Sequence, residues 1–138
     1  MMVLLDAFAL IAYFRDEPAA TQVQRLLWEA QPAIAATQIA EVVDRLIRVY
    51  GIDGEEAEVA CSGLGLEPIG LTPEVAIAAG VLRAKHYGPT GRTLSLADAI
   101  CAATAVHLHA SVATADPVLI TVVTAEGGSV IELPGSGQ

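Results

Sequence analysis

Basic residues are scarce in this sequence. Lysine and arginine together number 7, against 16 aspartate and glutamate residues, so the formal net charge is −9 at pH 7. Proteins whose main task is to coat nucleic acid usually carry clustered lysines and arginines that neutralise phosphates. Taken alone, the composition therefore argues against such a protein, and the question becomes where the acidic residues lie.

Cysteines and long hydrophobic runs are also in short supply. Cys61 and Cys101 form no CxxC pair and lie among apolar residues, which predicts buried free thiols in a reducing cytoplasm. No apolar stretch reaches the ~18 residues of a transmembrane helix, so no association with a membrane is expected. The segment Met1–Leu5 lacks basic residues and soon meets Asp6, which disfavours a signal peptide.

Apolar residues are abundant instead. They make up 54% of the 138 residues, against 17% that are charged. This proportion excludes a disordered chain, and the length suits a single domain with a substantial core. We expect that domain over residues 1–133, followed by a flexible tail over residues 134–138.

Short buried runs alternate with amphipathic segments along the chain. The runs predicted as strands are Val3–Leu5, Ala33–Ala36, Leu66–Leu71, Ser111–Ala115 and Val130–Leu133. Pro68 favours an edge position for the third of them. This alternation predicts an α/β fold with a central parallel sheet of about four to five strands between helices, joined by right-handed crossovers.

Several polar residues are placed to cap the predicted helices. Thr37 is expected to cap a helix from Gln38 to about Tyr50, and Asp53 a helix to about Ser62. Ser95 is expected to cap a central, alanine-rich helix. These caps set the starts of the helices that follow the predicted strands.

Four carboxylates occupy similar places in this pattern. Asp6 and Asp116 each follow a predicted strand, while Asp98 and Glu41 lie near the starts of helices. Ligands of open α/β sheets bind beyond the carboxyl ends of the strands, where helix N-termini also point. The four residues are therefore predicted to lie at one edge of the sheet.

Each carboxylate also has an ordinary structural explanation. Asp6 and Asp116 suit helix caps, Asp98 a capping box with Ser95, and Glu41 an ion pair with Arg45. Four carboxylates at one edge would nevertheless repel one another unless a cation joined them. Oxygen ligands suit Mg²⁺ or Mn²⁺, and no Cys/His spacing suits zinc. Such a cation would activate a water and stabilise charge on a phosphodiester.

In this order and spacing the residues resemble the PIN-domain nucleases, most closely the VapC-like ribonuclease toxins of type II toxin–antitoxin pairs. The matching segments are Leu4–Leu10, Ala40–Leu46, Leu94–Ala99 and Thr114–Asp116. The resemblance extends from about Val3 to Leu133. One departure is Phe8, because many members of the family carry a small hydroxyl or amide residue at that position.

The resemblance implies a three-layer α/β/α fold and Mg²⁺- or Mn²⁺-dependent endonucleolytic cleavage of RNA. It assigns Asp6, Glu41, Asp98 and Asp116 as catalytic, metal-binding acids, and Thr114 as the hydroxyl that accompanies the last acid. It also implies inhibition by a cognate antitoxin protein and a homodimer. Phe14, Leu27 and Trp28 are expected to present apolar surface that such a partner covers.

Other polar residues near the motifs have weaker assignments. Asp44 either supports the acids or forms a surface pair with Arg48. Arg45, Arg48 and Arg92 could contact phosphates without reading sequence, or could be solvated surface charges. The histidines show no spacing typical of a nucleophile or metal site and receive no role.

Two other α/β functions are disfavoured by missing residues. A phosphoacceptor signalling domain needs paired acids after the first strand and a late lysine, and no lysine follows Lys85. A haloacid-dehalogenase-type phosphatase needs Asp-x-Asp, whereas Phe8 follows Asp6 at that spacing. A PIN-like module that binds RNA or a partner without cutting stays open as an alternative.

Overall fold

Five parallel strands form the centre of the molecule, which a computed structural model describes over residues 1–88 and 93–136. The strands are β1 (Met2–Leu5), β2 (Gln31–Ala35), β3 (Glu67–Ile69), β4 (Ser111–Thr114) and β5 (Ser129–Glu132). The helices are α1 (Ala7–Phe14), α2 (Ala20–Glu29), α3 (Ala36–Arg48), α4 (Gly54–Ser62), α5 (Pro73–His86), α6 (Leu96–Leu108) and α7 (Pro117–Ala125).

The strand order β3-β2-β1-β4-β5 places β1 at the centre of the sheet. Leu4 pairs with Ala33 of β2 on one side and with Val112 of β4 on the other, both in parallel register. β3 forms one edge, as Pro68 predicted, because an edge strand tolerates a residue without an N–H donor. The predicted parallel sheet is confirmed.

Side-chain alternation along the strands divides the core into two layers. Leu4 and Val112 pack on one face against α5, α6 and α7, whereas Val3 and Leu5 pack on the other face against α1 to α4. Both faces are covered, which explains why the strands are continuous apolar runs. The result is the three-layer α/β/α arrangement that the resemblance implied.

The predicted cap at Thr37 is wrong. Strand β2 continues to Ala35, and α3 begins at the next residue, so Thr37 lies inside the first turn. Its hydroxyl is buried and has no hydrogen-bond partner among the described residues. Ala35, which pairs with Ile69 of β3, is the last residue of the strand, so α3 begins two residues before Gln38 and Thr37 falls inside it despite the local preference of threonine for a cap.

Other local expectations hold with small differences. Asp53, Ser95 and Asp116 cap their helices through side-chain oxygens that accept backbone N–H groups. Both cysteines are free, but only Cys101 is buried, since Cys61 lies on α4 with part of its side chain exposed. The expectation of two buried thiols is therefore correct for one of them.

The end of the chain follows β5 without regular structure. Leu133 is buried and donates its N–H to the Thr114 carbonyl, and Pro134–Ser136 are described as irregular. Gly137 and Gln138 lie outside the described residues, so the flexible tail stays a prediction. Among residues 1–88 and 93–136, no helix combines the length and apolar character needed to cross a bilayer.

Candidate active site

Asp6 lies where the central strand ends and α1 begins. Its backbone N–H donates to the Ala113 carbonyl of β4 at 3.3 Å, which continues the sheet pairing by one residue. Its carboxylate then accepts the Ala9 N–H at 2.9 Å and caps α1. The side chain is only 4% exposed, so a carboxyl group is buried at the carboxyl end of the central strand.

Asp116 takes the corresponding position two residues beyond β4. Its carboxylate accepts the Val118 N–H at 2.9 Å and caps α7, while its own N–H donates to the Thr114 hydroxyl oxygen at 3.0 Å. Thr114 is fully buried, and its side chain also hydrogen-bonds the Asp6 carboxyl group. Thr114 therefore joins the two strand-end acids.

The remaining two acids come from helices. Asp98 lies in the first turn of α6, where its N–H donates to the Ser95 hydroxyl oxygen at 3.1 Å. Glu41 lies on α3, one turn before Arg45. The structure thus brings together all four predicted acids, which line one cavity of about 310 Å³.

Three of the carboxyl groups, those of Asp6, Asp98 and Glu41, have raised pKa values. Burial raises the pKa of Asp6 to about 7, and the charges of Asp98 and Asp116 add to the rise, although the hydrogen bonds from Thr114 and Ala9 oppose it. Burial also raises the pKa of Asp98 and of Glu41, again with contributions from the neighbouring acids. A cation in the cavity would relieve this unfavourable electrostatic interaction.

Gln38 is a site residue that the sequence analysis missed. It is fully buried on α3, and its Oε1 accepts the Ala7 N–H at 2.8 Å. Its Nε2 donates to Asp98 Oδ1 at 3.2 Å and to the Ala97 carbonyl at 3.3 Å. Gln38 thereby connects the start of α1 to the first turn of α6. Its position three residues before Glu41, on the same helix face, was the available sequence signal.

The other predicted site residues differ in position. Arg45 lines the acidic cavity. Asp44 does not; it is exposed and accepts three hydrogen bonds from Arg48 at 2.9–3.2 Å, which matches the surface-pair alternative. Phe8 lines the cavity where family members often carry a polar side chain. Arg92 lies outside the described residues.

The donor set of the cavity fits a hard divalent cation. The four acids offer only carboxylate oxygens, the ligands that Mg²⁺ and Mn²⁺ prefer, and the nearly buried Asp6 feels the charges of Asp98 and Asp116. Within the described residues, no three His, Cys, Asp or Glu side chains are already arranged as a metal-coordination cluster. Binding a cation would therefore require the carboxylates to move closer together.

Comparison with known proteins bears on the fold and the family of the chain. The model of the PIN domain family matches residues 3–123 of the chain. No curated protein sequence matches it.

Several solved structures share the fold. VapBC2 from Rickettsia felis, bound to a DNA fragment from its promoter, is 16% identical with a TM-score of 0.72, covering 97% of this chain and 100% of that one. A toxin–antitoxin complex from Klebsiella pneumoniae is 22% identical with a TM-score of 0.70, over 94% and 95% of the two chains.

VapC20 from Mycobacterium tuberculosis, described as a toxin that cleaves the sarcin–ricin loop, is 15% identical with a TM-score of 0.72, over 96% and 99% of the two chains. At these identities the likeness establishes the fold alone. The family match covers most of the chain and agrees with both the fold and the resemblance noted from the sequence motifs. The chain belongs to the PIN domain family.

Proposed function

We propose that this protein is a divalent-metal-dependent endoribonuclease that acts in the cytoplasm as the toxin of a toxin–antitoxin pair and is inhibited by its cognate antitoxin. The observation that carries the proposal is the convergence of Asp6, Glu41, Asp98 and Asp116 on one cavity of a PIN domain. The toxin–antitoxin complex from Klebsiella pneumoniae supports the toxin role, and the sarcin–ricin loop-cleaving toxin VapC20 supports RNA as the substrate.

In this proposal the four acids hold Mg²⁺ or Mn²⁺, and the chain's own contacts orient them. Thr114 and the Ala9 N–H hold the Asp6 carboxylate, while Gln38 holds that of Asp98. When bound there, such a cation would lower the pKa of a water and stabilise charge on the phosphodiester. These orienting groups lie on three elements around one cavity. The carboxylates therefore need to move only as far as contact with the ion requires.

A catalytically inert PIN-like module, which binds RNA or a partner, is the alternative. The observation in its favour is that no three acids in the described chain already form a metal-coordination cluster. Titration with Mn²⁺ beside a cleavage assay separates the two functions. Metal binding without cleavage of any RNA in a total RNA pool would favour the module.

The Asp98→Asn variant tests the assigned acids. It keeps an oxygen that accepts from Gln38 but loses the charge, so Mg²⁺-dependent cleavage of total RNA with mapped ends should fall more than about 100-fold, beyond the 10–100-fold typical of residues that only orient ligands. Asp44→Asn on the exposed face of α3 is the matched control and should cleave like the wild type. Equal activity of all three proteins would refute the assignment.

The raised pKa of Asp6 predicts a pH-dependent stability of the metal-free protein. Since the folded state holds this proton more tightly than the unfolded state, the contribution of Asp6 to stability is greatest below about pH 4 and is lost as the pH rises through about 7, by about 4 kcal/mol in total. Mn²⁺ binds the ionised form of Asp6. Its affinity should therefore increase as the pH rises over the same range, and its binding should release protons.

Thermal unfolding in EDTA and calorimetric Mn²⁺ titration between pH 4 and pH 8 measure these effects. Asp6→Asn should flatten the dependence of stability on pH, whereas Asp44→Asn should leave this contribution of Asp6 in place. A wild-type stability that is independent of pH in the absence of metal would contradict the burial of an uncompensated Asp6.

Gln38→Met tests whether Gln38 positions Asp98. The variant keeps the side-chain length but leaves the Ala7 N–H without its acceptor, so stability should fall by about 1–3 kcal/mol. Mn²⁺ affinity should fall about 10–100-fold because Asp98 loses its donor. Val23→Ala, a core variant on α2, should lose stability but keep its Mn²⁺ affinity. Equal Mn²⁺ affinities in both variants would assign Gln38 to the fold alone.

A homodimer is the proposed assembly. Of the three apolar residues predicted to need a partner, Trp28 is 76% exposed, whereas Phe14 and Leu27 are partly buried against the core. The structure adds Ile77 and Val81 on α5, which are 70% and 66% exposed. Sedimentation velocity should show a dimer, and sedimentation as a monomer at every concentration would exclude it.

A further inference from the structure

The acidic cavity is also lined by residues that are not acids. Besides the acids, it is lined by Phe8 and Ile11 of α1, Arg45 of α3 and Tyr50, which follows α3. These residues combine a cation with aromatic and aliphatic surface. None of them is needed to hold a metal ion.

Arg45 differs from the neighbouring arginine on its helix. The guanidinium of Arg48 is committed to Asp44 through three hydrogen bonds. The Nε of Arg45 is buried and has no acceptor among the described residues. A buried donor without an acceptor costs about 1–3 kcal/mol, and a turn of the guanidinium toward a ligand oxygen in the cavity would remove the cost. The planar guanidinium suits a phosphate, which can accept two parallel hydrogen bonds.

The charges of the cavity restrict where a phosphate can lie. Among the described residues, five carboxylates and one cation line it, the carboxylates being Asp6, Glu17, Glu41, Asp98 and Asp116. Apart from a bound metal, Arg45 is therefore the attractive group for a polyanion on this wall. Glu41 lies one turn before Arg45 on α3, so a phosphate beside Arg45 would lie next to the acids.

The aromatic residues offer the matching surface for a base. Phe8 and Tyr50 are partly buried and both line the cavity. The Arg15 guanidinium lies 3.9 Å from the centroid of the Tyr50 ring, which holds that ring in place. Bases of unpaired nucleotides pack on such side chains, whereas bases in a duplex are stacked and paired with one another.

We propose that Arg45, Phe8 and Tyr50 form a nucleotide subsite, in which Arg45 donates to a phosphate flanking the scissile one and the aromatic side chains contact its unpaired base. The subsite rests on the proposed ribonuclease function, whose substrate it narrows to RNA with an unpaired nucleotide beside the cut. It makes Arg45 and Tyr50 substrate-positioning residues rather than catalytic ones.

Binding of a labelled single-stranded 12-nucleotide RNA of mixed sequence tests Arg45. Fluorescence anisotropy with the Asp98→Asn protein in Mg²⁺, over a series of KCl concentrations, measures affinity without cleavage. Arg45→Gln should weaken binding about tenfold and reduce the slope of log K against log salt by about 0.7, the value for one phosphate on a single strand. Arg48→Gln is the matched control and should change neither quantity. Equal effects of the two substitutions, or none, overturn the proposal.

An abasic RNA of the same length tests the base contact. Tyr50→Leu should weaken binding of the 12-nucleotide RNA but not of the abasic strand, and Tyr50→Phe should restore it. Equal losses for both strands overturn the base contact.

Thermal unfolding and Mn²⁺ titration of each variant show whether the fold and acids are intact. If the wild type cleaves RNA while the Arg45 and Tyr50 variants bind like the control, the subsite is wrong and the ribonuclease function stands. If the wild type neither binds nor cleaves RNA in Mg²⁺, the ribonuclease function and the subsite both fail.

Discussion

The site depends on the burial of like charges at one edge of a parallel sheet. Asp6 is nearly inaccessible and has neighbouring acids at Asp98 and Asp116, so its proton is held to about pH 7. Such an arrangement costs stability in the absence of a cation. Much of the surrounding structure holds these carboxylates where they repel one another, which is typical of functional sites that trade stability for ligand binding.

Backbone geometry and two uncharged side chains hold the acids in place. Asp6 and Asp116 are each fixed by the N-terminus of the helix they cap, so helix formation itself orients these carboxylates. Thr114 links the two strand ends, and Gln38 links α1 to α6 across the cavity. The capping explanation of Asp6 and Asp116 is confirmed, and the proposed metal ligation is compatible with it, because each cap uses one of the two carboxylate oxygens.

Much of the fold was predictable because its determinants are local. Alternating apolar runs and amphipathic segments predicted the parallel sheet, and Pro68 predicted the edge strand. Thr37 shows the limit: its preference for a cap is local, but the pairing of β2 with β3 ends at Ala35 and α3 begins at Ala36, before the expected cap. Gln38 was missed because its spacing from Glu41 indicates only a shared helix face. Nothing local indicates that its amide will reach two other helices.

The sequence by itself determined which residue types follow each strand and which helices begin with an acid, since periodicity and capping act over a few residues. Only the tertiary structure decided that these acids share a cavity, because their meeting requires β1 to pair with β4, far away in sequence, and α3 to pack beside α6. It also decided which arginine lies in the cavity. Arg45 and Arg48 are three residues apart, yet α3 turns one toward the acids and leaves the other paired with Asp44 at the surface.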